Sequence, residues 1–140
     1  MSTEQNKALV QRLFHEIWTQ KNVGAIDELF APDLVAYRSG RPVMQGAAGL
    51  KPMVEGMTRT FGDCHSTIDA LIAEDDLVVA RWTLRGTHTG EWRGIAATGK
   101  PITITGITIH RIADGKIAEL WAEEDWLGLI QQIGGLSGQD

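Results

Sequence analysis

The sequence predicts one α+β domain in which helices precede a mainly antiparallel sheet and a short helix follows it. Up to Phe61, apolar residues recur at helical spacing, and from Ser66 onward they alternate with a period of two. Asp114-Gly115, between two long runs rich in Ile, Thr and Val, is the strongest hairpin signal in the chain. With 140 residues the chain can build one core, and we expect a single domain over 1–140.

Composition narrows the class of protein. The net charge of -5 argues against nucleic-acid and anionic-membrane binding, both of which favour basic patches. The single cysteine, Cys64, excludes a disulfide framework and a cysteine metal site. Charged residues such as Glu4 and Arg12 interrupt the amino-terminal segment, and no run approaches the ~20 apolar residues of a membrane span. We therefore expect a cytoplasmic protein.

Three helices are predicted before the sheet. Ser2 and Gln5 form a capping-box pattern ahead of the first, which carries Trp18 at the edge of its apolar stripe. A short second helix is predicted over Ala25–Phe30, and a third over Leu50–Phe61, with Pro52 in its first turn. Trp18 fits a core position and a pocket wall equally well.

The strands begin with a short one at Leu34–Tyr37, which a loop at Ser39–Pro42 follows. A strand is predicted from Ser66 to Ile72, and a longer one from Leu77 to His88 has apolar residues on both faces. Helices covering one face of the sheet and a second copy of the chain covering the other would explain this pattern, so we expect a homodimer.

A last helix is predicted from Trp126 to Ile133, with Asp125 in the N-cap position. The polar residues 137–140 are expected to fray.

The register of the hairpin decides which side chains share a face. If Ala113-Asp114-Gly115 is a three-residue loop, Glu124 lies on the same face as Thr108 and His110. If the loop has two residues, Asp125 and Glu123 replace Glu124 in that set. The predicted pairs are Gly106–Ala122, Thr108–Leu120 and Ile104–Glu124 in the first register, and Ile104–Asp125 and His110–Glu119 in the second.

The chemical motifs of the sequence are weak. A glycine-rich phosphate loop and a Gly-x-Ser-x-Gly segment are absent, and the histidines are too scattered to predict a metal site. Five tryptophans against one tyrosine indicate wide apolar surfaces, in a core or in a pocket for a flat ligand. Carboxylates and imidazoles in such a pocket would suit general acid–base chemistry.

Four segments carry a family likeness: LFAPD at 29–33, GTHTGEWRGIAATGK at 86–100, HRIADGKIAELW at 110–121 and DWLGLIQQIG at 125–134. Through them the chain resembles the SnoaL-like polyketide cyclases, or ester cyclases, of the nuclear transport factor 2-like superfamily. The resemblance implies a cone-shaped fold and a ring-closing aldol reaction that uses no metal or cofactor. The same fold also hosts other chemistries and some binding proteins.

The resemblance also locates the positions at which the family holds its functional side chains. An acid–base aspartate of the family falls on Ala122, a histidine on Thr108 and a glutamine on Gly106, so this chain lacks all three groups. A further family histidine is retained as His88. Arg81-Trp82-Thr83 resembles the Arg-x-Asp of limonene epoxide hydrolases, but Thr83 replaces the aspartate, which argues against epoxide hydrolysis.

These observations give two function hypotheses. The first is a cofactor-independent cyclase, isomerase or lyase that acts on a small hydrophobic carbonyl compound, with Glu124 as acid–base and His110 or His88 assisting. The second is a binding or accessory protein that kept the pocket and lost the chemistry. Asp125 is a further catalytic candidate, although its N-cap position favours a role as the helix cap. The residues expected to contact the ligand are Trp18, Tyr37, Arg81, Trp82, His88, Thr108 and Ala122.

Overall fold

A computed structural model describes residues 2–135 and has four α-helices and one sheet of six strands. The expected fraying of residues 137–140 lies outside the described part of the chain. The helices are α1 (Thr3–Leu13), α2 (Ile26–Leu29), α3 (Leu50–Thr60) and α4 (Trp126–Gln132). The strands are β1 (Phe30–Arg38), β2 (Arg41–Gln45), β3 (His65–Glu74), β4 (Leu77–Thr87), β5 (Pro101–Ala113) and β6 (Lys116–Glu124).

The sheet has the order β2-β1-β6-β5-β4-β3, and every neighbouring pair is antiparallel except β1 with β6. The predicted α+β class is confirmed. In the described part of the chain, no helix is long and apolar enough to span a bilayer.

The helices begin and end close to where the sequence places them. The Ser2–Gln5 capping box is formed in both directions at the start of α1. The helix then widens into a π-turn over Phe14–Thr19, which the apolar stripe did not reveal. Phe30, predicted as the end of the second helix, instead begins β1.

The hairpin differs from both predicted registers. Asp114 and Gly115 both have positive φ, 51° and 75°, as a two-residue type I′ turn requires, so the three-residue loop is wrong. Ala113 faces Lys116, but an extra residue at Ala118 then shifts the pairing by one. Beyond the bulge, the side chains of β6 lie on the same faces of the sheet as the three-residue loop would have placed them.

The sheet has an inner face, turned toward the helices, and an outer face. On β4 the inner face carries Val78, Ala80, Trp82 and Leu84, all buried, and these join the core under the helices. The outer face carries Arg81 and the exposed apolar side chains of Ile72 and Ile107. Such a face fits the expectation of a partner there, and the homodimer remains a prediction.

Candidate functional site

A largely apolar cavity of about 140 Å³ lies between the inner face of the sheet and the helices. Phe14 and Trp18 reach it from the π-turn, and Met53 and Met57 reach it from α3. The complete lining is Leu13, Phe14, Trp18, Phe30, Ala36, Tyr37, Arg38, Val43, Met44, Leu50, Met53, Met57, Ser66, Trp82, Leu84, Ile104, Thr108, His110, Leu120, Ala122, Glu124 and Trp126.

The sheet wall of the cavity is built in rows that cross neighbouring strands. The rows are Trp82–Gly106–Glu124, then Ala80–Thr108–Ala122–Arg38, then Val78–His110–Leu120–Ala36. Successive rows lie two residues apart, so the first and third are about 13 Å apart along the strands. Glu124 and His110 therefore face the same cavity from different ends.

Glu124 is held at its end of the cavity by Arg38. The guanidinium Nε of Arg38 donates to Oε1 of Glu124 at 2.7 Å. The Glu124 side chain is only 12% exposed, and the guanidinium also lies over the ring of Trp126, 5.3 Å from its centroid. This ion pair places a carboxylate and a cation together beside an apolar cavity.

His110 lies at the opposite end and is 1% exposed. Its Nδ1 is 3.1 Å from the carbonyl oxygen of Val78, to which a neutral ring donates. Burial lowers the pKa of His110 to about 4, although the bond to Val78 opposes the shift. The ring is therefore neutral near pH 7, and in this tautomer its Nε2 is a hydrogen-bond acceptor.

Trp82 stands in the same row of the wall as Glu124. Its indole Nε1 donates to the hydroxyl of Thr108 at 3.0 Å, and Phe14 packs on its ring at a centroid distance of 6.4 Å. A Cβ built on Gly106 would stand 2.3 Å from Cζ2 of the indole. The indole therefore fills the space that a side chain at position 106 would need.

Trp126, which lines the cavity, packs against an aromatic ring from a distant segment of the chain. Trp92, in the loop between β4 and β5, stacks on Trp126 of α4 with ring centroids 6.0 Å apart. Arg93 lies over both rings, at 4.8 Å and 5.9 Å from their centroids. The loop between β4 and β5 thus packs against Trp126, a cavity residue.

The comparisons with known proteins agree with this architecture. The family model of SnoaL-like polyketide cyclases matches residues 8–133. The chain belongs to that family. Among solved structures, AclR from Streptomyces galilaeus, a candidate hydroxylase, is 28% identical with a TM-score of 0.87, over 96% of this chain and 99% of that one.

Two further relatives show the same likeness. TsrD from Streptomyces laurentii is 28% identical with a TM-score of 0.85, over 97% of this chain and 99% of its own. IdmH from Streptomyces antibioticus, a candidate polyketide cyclase, is 27% identical with a TM-score of 0.82, over 93% and 99%. No curated protein matches the sequence significantly. The cone-shaped nuclear transport factor 2-like fold that the resemblance implied is confirmed.

In this SnoaL-like protein, the three positions to which the resemblance assigns functional side chains lie close together on the inner face of the sheet. Thr108 faces Ala122 directly, and Gly106 pairs with Glu124 one row away. The first of the two sequence-predicted sets, Glu124 with Thr108 and His110, is thus on one face. The predicted cavity positions of Trp18, Trp82, Thr108 and Ala122 also agree with the lining.

The structure places three predicted site residues outside the cavity. Arg81 is exposed on the outer face, because its neighbour Trp82 takes the inner face. It lies outside this cavity, and its contact with a ligand stays a prediction. His88 is fully buried behind the β4–β5 loop, where Thr98 bonds its Nδ1 and Phe61 packs on its ring. His88 is therefore not part of this cavity lining, and its contact with a ligand stays a prediction.

Asp125 acts as a helix cap. Its Oδ1 accepts the backbone N–H of Gly128 at 2.9 Å, and its side chain is not part of the cavity lining. Asp125 therefore lies outside this cavity, and a catalytic role for it stays a prediction. Tyr37 borders the cavity, but its ring stacks on Trp121 and its hydroxyl lies 3.4 Å from a carboxylate oxygen of Glu119.

Sequence reasoning missed Arg38, Trp126 and the methionines of the lining. Arg38 and Glu124 are 86 positions apart in the sequence, and only the parallel pairing of β1 with β6 brings them together. Trp126 could have been suspected, since tryptophan is frequent in pockets and it follows Glu124 closely. Within residues 2–135, no three His, Cys, Asp or Glu side chains are clustered closely enough to hold a metal ion.

Proposed function

We propose that this protein catalyses proton transfer beside a carbonyl group, as a cofactor-independent cyclase or isomerase of a small hydrophobic carbonyl compound. The observation that carries the proposal is the Arg38–Glu124 pair, 2.7 Å apart and mostly shielded at one end of an apolar cavity. The family of the chain, and the relative IdmH in particular, support this reaction class.

The pair supplies the two groups that enolisation needs. Oε1 of Glu124 is engaged by Arg38, which leaves Oε2 to take a proton from the carbon next to the carbonyl. As that C–H bond breaks, its electron pair moves into the enolate and negative charge develops on the carbonyl oxygen. The guanidinium has further N–H donors that can stabilise this charge, and an apolar surrounding strengthens the interaction.

The enolate then has two outcomes. Its carbon can attack a second carbonyl of the same molecule, which forms a ring and leaves an alkoxide that recovers the proton from Glu124. Alternatively, the proton returns to a different carbon, which isomerises the compound. Both routes return Glu124 to its charged form and need no external oxidant or reductant.

His110 is assigned to binding rather than to the proton transfer. It stands about 13 Å along the strands from the row of Glu124, too far to exchange a proton directly. Its Nε2 is suited to accept a hydrogen bond from a hydroxyl of the ligand, which would orient the molecule between the two ends of the cavity.

Exchange of protons for deuterons tests the proposal without knowledge of the natural substrate. We expect the protein in D₂O to accelerate deuterium incorporation into the methyl groups of acetophenone and para-hydroxyacetophenone, followed by proton NMR. An Arg38→Gln variant should be slower, because the enolate loses its counter-charge. If no compound of a broad carbonyl panel is exchanged above the buffer rate, the enzymatic proposal fails.

A second candidate function is ligand binding without chemistry. It is favoured by the wall itself, where the indole of Trp82 and the hydroxyl of Thr108 satisfy each other at 3.0 Å and Ala122 offers no proton acceptor. Calorimetric binding of para-hydroxyacetophenone together with an unchanged exchange rate would identify this function.

A further inference from the structure

The enclosed space limits what the cavity can hold. A cavity of about 140 Å³ is close to an apolar cavity of ~150 Å³ that accommodates benzene. Fused systems of three or four rings have more than twice the carbon atoms of benzene and need correspondingly more space. The part of the ligand inside this space is therefore about one six-membered ring with small substituents.

The indole of Trp82 sets this limit. Its row on the wall is Trp82–Gly106–Glu124, and the missing side chain at Gly106 lets the indole lie across β5 toward Glu124. The hydrogen bond to Thr108 and the packing of Phe14 hold the ring in that orientation. A smaller residue at position 82 would enlarge the cavity over Gly106, which has no side chain to fill the space.

The two ends of the cavity add polar requirements. His110 presents a neutral Nε2, which accepts a hydrogen bond, whereas Arg38 presents only donors. The side chains between these ends, such as Phe14, Leu120 and Ala122, are apolar. A matching ligand donates a hydroxyl at one end and offers a carbonyl oxygen at the other, with hydrocarbon between.

We infer that Trp82 determines ligand size in this cavity and that the ligand class is a single-ring carbonyl compound with a hydroxyl group at its far end. The inference rests on the proposed function in placing the ligand between His110 and the Arg38–Glu124 pair. The size limit itself depends on the cavity volume and on the position of the indole over Gly106, and not on the proposed function.

Binding measurements with matched probes test the inference. We expect calorimetry to show that the protein binds para-hydroxyacetophenone about tenfold more tightly than acetophenone, as one added hydrogen bond allows. Acetylanthracene, a three-ring methyl ketone, should bind at least tenfold more weakly than acetophenone, although its larger apolar surface would favour it in an open site. Tighter binding of acetylanthracene than of acetophenone to the unmodified protein would overturn the size limit.

Two variants locate the cause. Trp82→Leu should reverse the preference, with at least a tenfold gain for acetylanthracene relative to acetophenone. Thr108→Val is the alternative if Trp82→Leu does not fold. It keeps the volume of residue 108 but removes the hydrogen bond to the indole, so it should also shift the preference toward acetylanthracene over acetophenone. An unchanged ratio in the variant that folds would overturn the role of Trp82.

A third variant separates the polar end from the size limit. His110→Leu should abolish the advantage of para-hydroxyacetophenone over acetophenone, and a retained advantage would overturn the assigned hydroxyl. These measurements give binding constants, so they do not depend on whether the protein turns the ligand over. Selection by size without deuterium exchange would contradict the proposed function and leave this inference intact.

Discussion

The indole Nε1 of Trp82 donates to the hydroxyl of Thr108 at 3.0 Å, and both side chains are more than nine-tenths buried. The family resemblance places a histidine at the position of Thr108 and a glutamine at the position of Gly106, which Trp82 covers. At these positions the structure has a packed indole and hydroxyl instead. A side chain at position 106 would therefore collide with the indole. Any acid–base group must come from another part of the cavity wall.

Replacing Gly106 by alanine tests the packing. The new Cβ would lie 2.3 Å from Cζ2 of Trp82, so the indole would have to move and lose its bond to Thr108. We expect Gly106→Ala to lower the free energy of unfolding by about 1–3 kcal/mol in urea titrations, the usual cost of overpacking. Thr105→Ala, one residue away and exposed, is the control and should cost much less. Equal losses of unfolding free energy in both variants would contradict the conclusion that the indole is held over Gly106.

Acid should weaken the fold through His110. As the pH falls, the unfolded chain takes up a proton near the ordinary value of 6.5, whereas the folded chain does so only near 4. The unfolded state therefore gains protons first, and stability that is complete above pH 6.5 is lost between 6.5 and about 4. The loss from this group should reach ~2 kcal/mol at pH 5 and ~3 kcal/mol below pH 4.

The matched control for the acid effect is His110→Phe, which keeps a buried ring and removes the titration. Urea unfolding at pH 7 and pH 5 should show a smaller difference in this variant than in the unmodified protein. If both proteins lose the same free energy between the two pH values, His110 is not the group responsible.

Asp125 should matter for stability through its cap. Asp125→Ala removes the acceptor of the Gly128 N–H, and we expect a loss of about 1 kcal/mol in thermal unfolding experiments. Asp125→Asn keeps an oxygen in the same place and should restore most of that stability. If Asp125 were an acid–base instead, both variants would lack the reacting carboxylate. Turnover would then fall in Asp125→Asn as much as in Asp125→Ala.

Local signals in the sequence predicted most of the fold. The Ser2–Gln5 capping box, the Asp-Gly turn and the change from helical to alternating periodicity are each contained in a few residues, and each is found in the structure. Strand β2, at Arg41–Gln45, was missed because it contains Pro42 and is almost entirely exposed, as an edge strand tolerates.

The candidate site depends on features that no short window contains. The bulge at Ala118 decides that Glu124, rather than Asp125, shares a face with Thr108, and it leaves no mark in the composition. The partner of Glu124 is Arg38, which the sequence places in a different part of the chain, at the end of a strand predicted to stop at Tyr37. Pairing of β1 with β6 is a long-range event, so the ion pair could not be predicted from spacing.

The most direct test of the account is the rate of deuterium incorporation into para-hydroxyacetophenone by Glu124→Gln, compared with Glu123→Gln. Glu123 is the neighbouring acid, exposed and on the outer face, so its amide variant controls for the loss of one charge. We expect a fall of about 10²–10⁴-fold for Glu124→Gln and little change for Glu123→Gln, as for the loss of a general base. Full exchange activity in Glu124→Gln would contradict the assignment of the proton transfer to the Arg38–Glu124 pair.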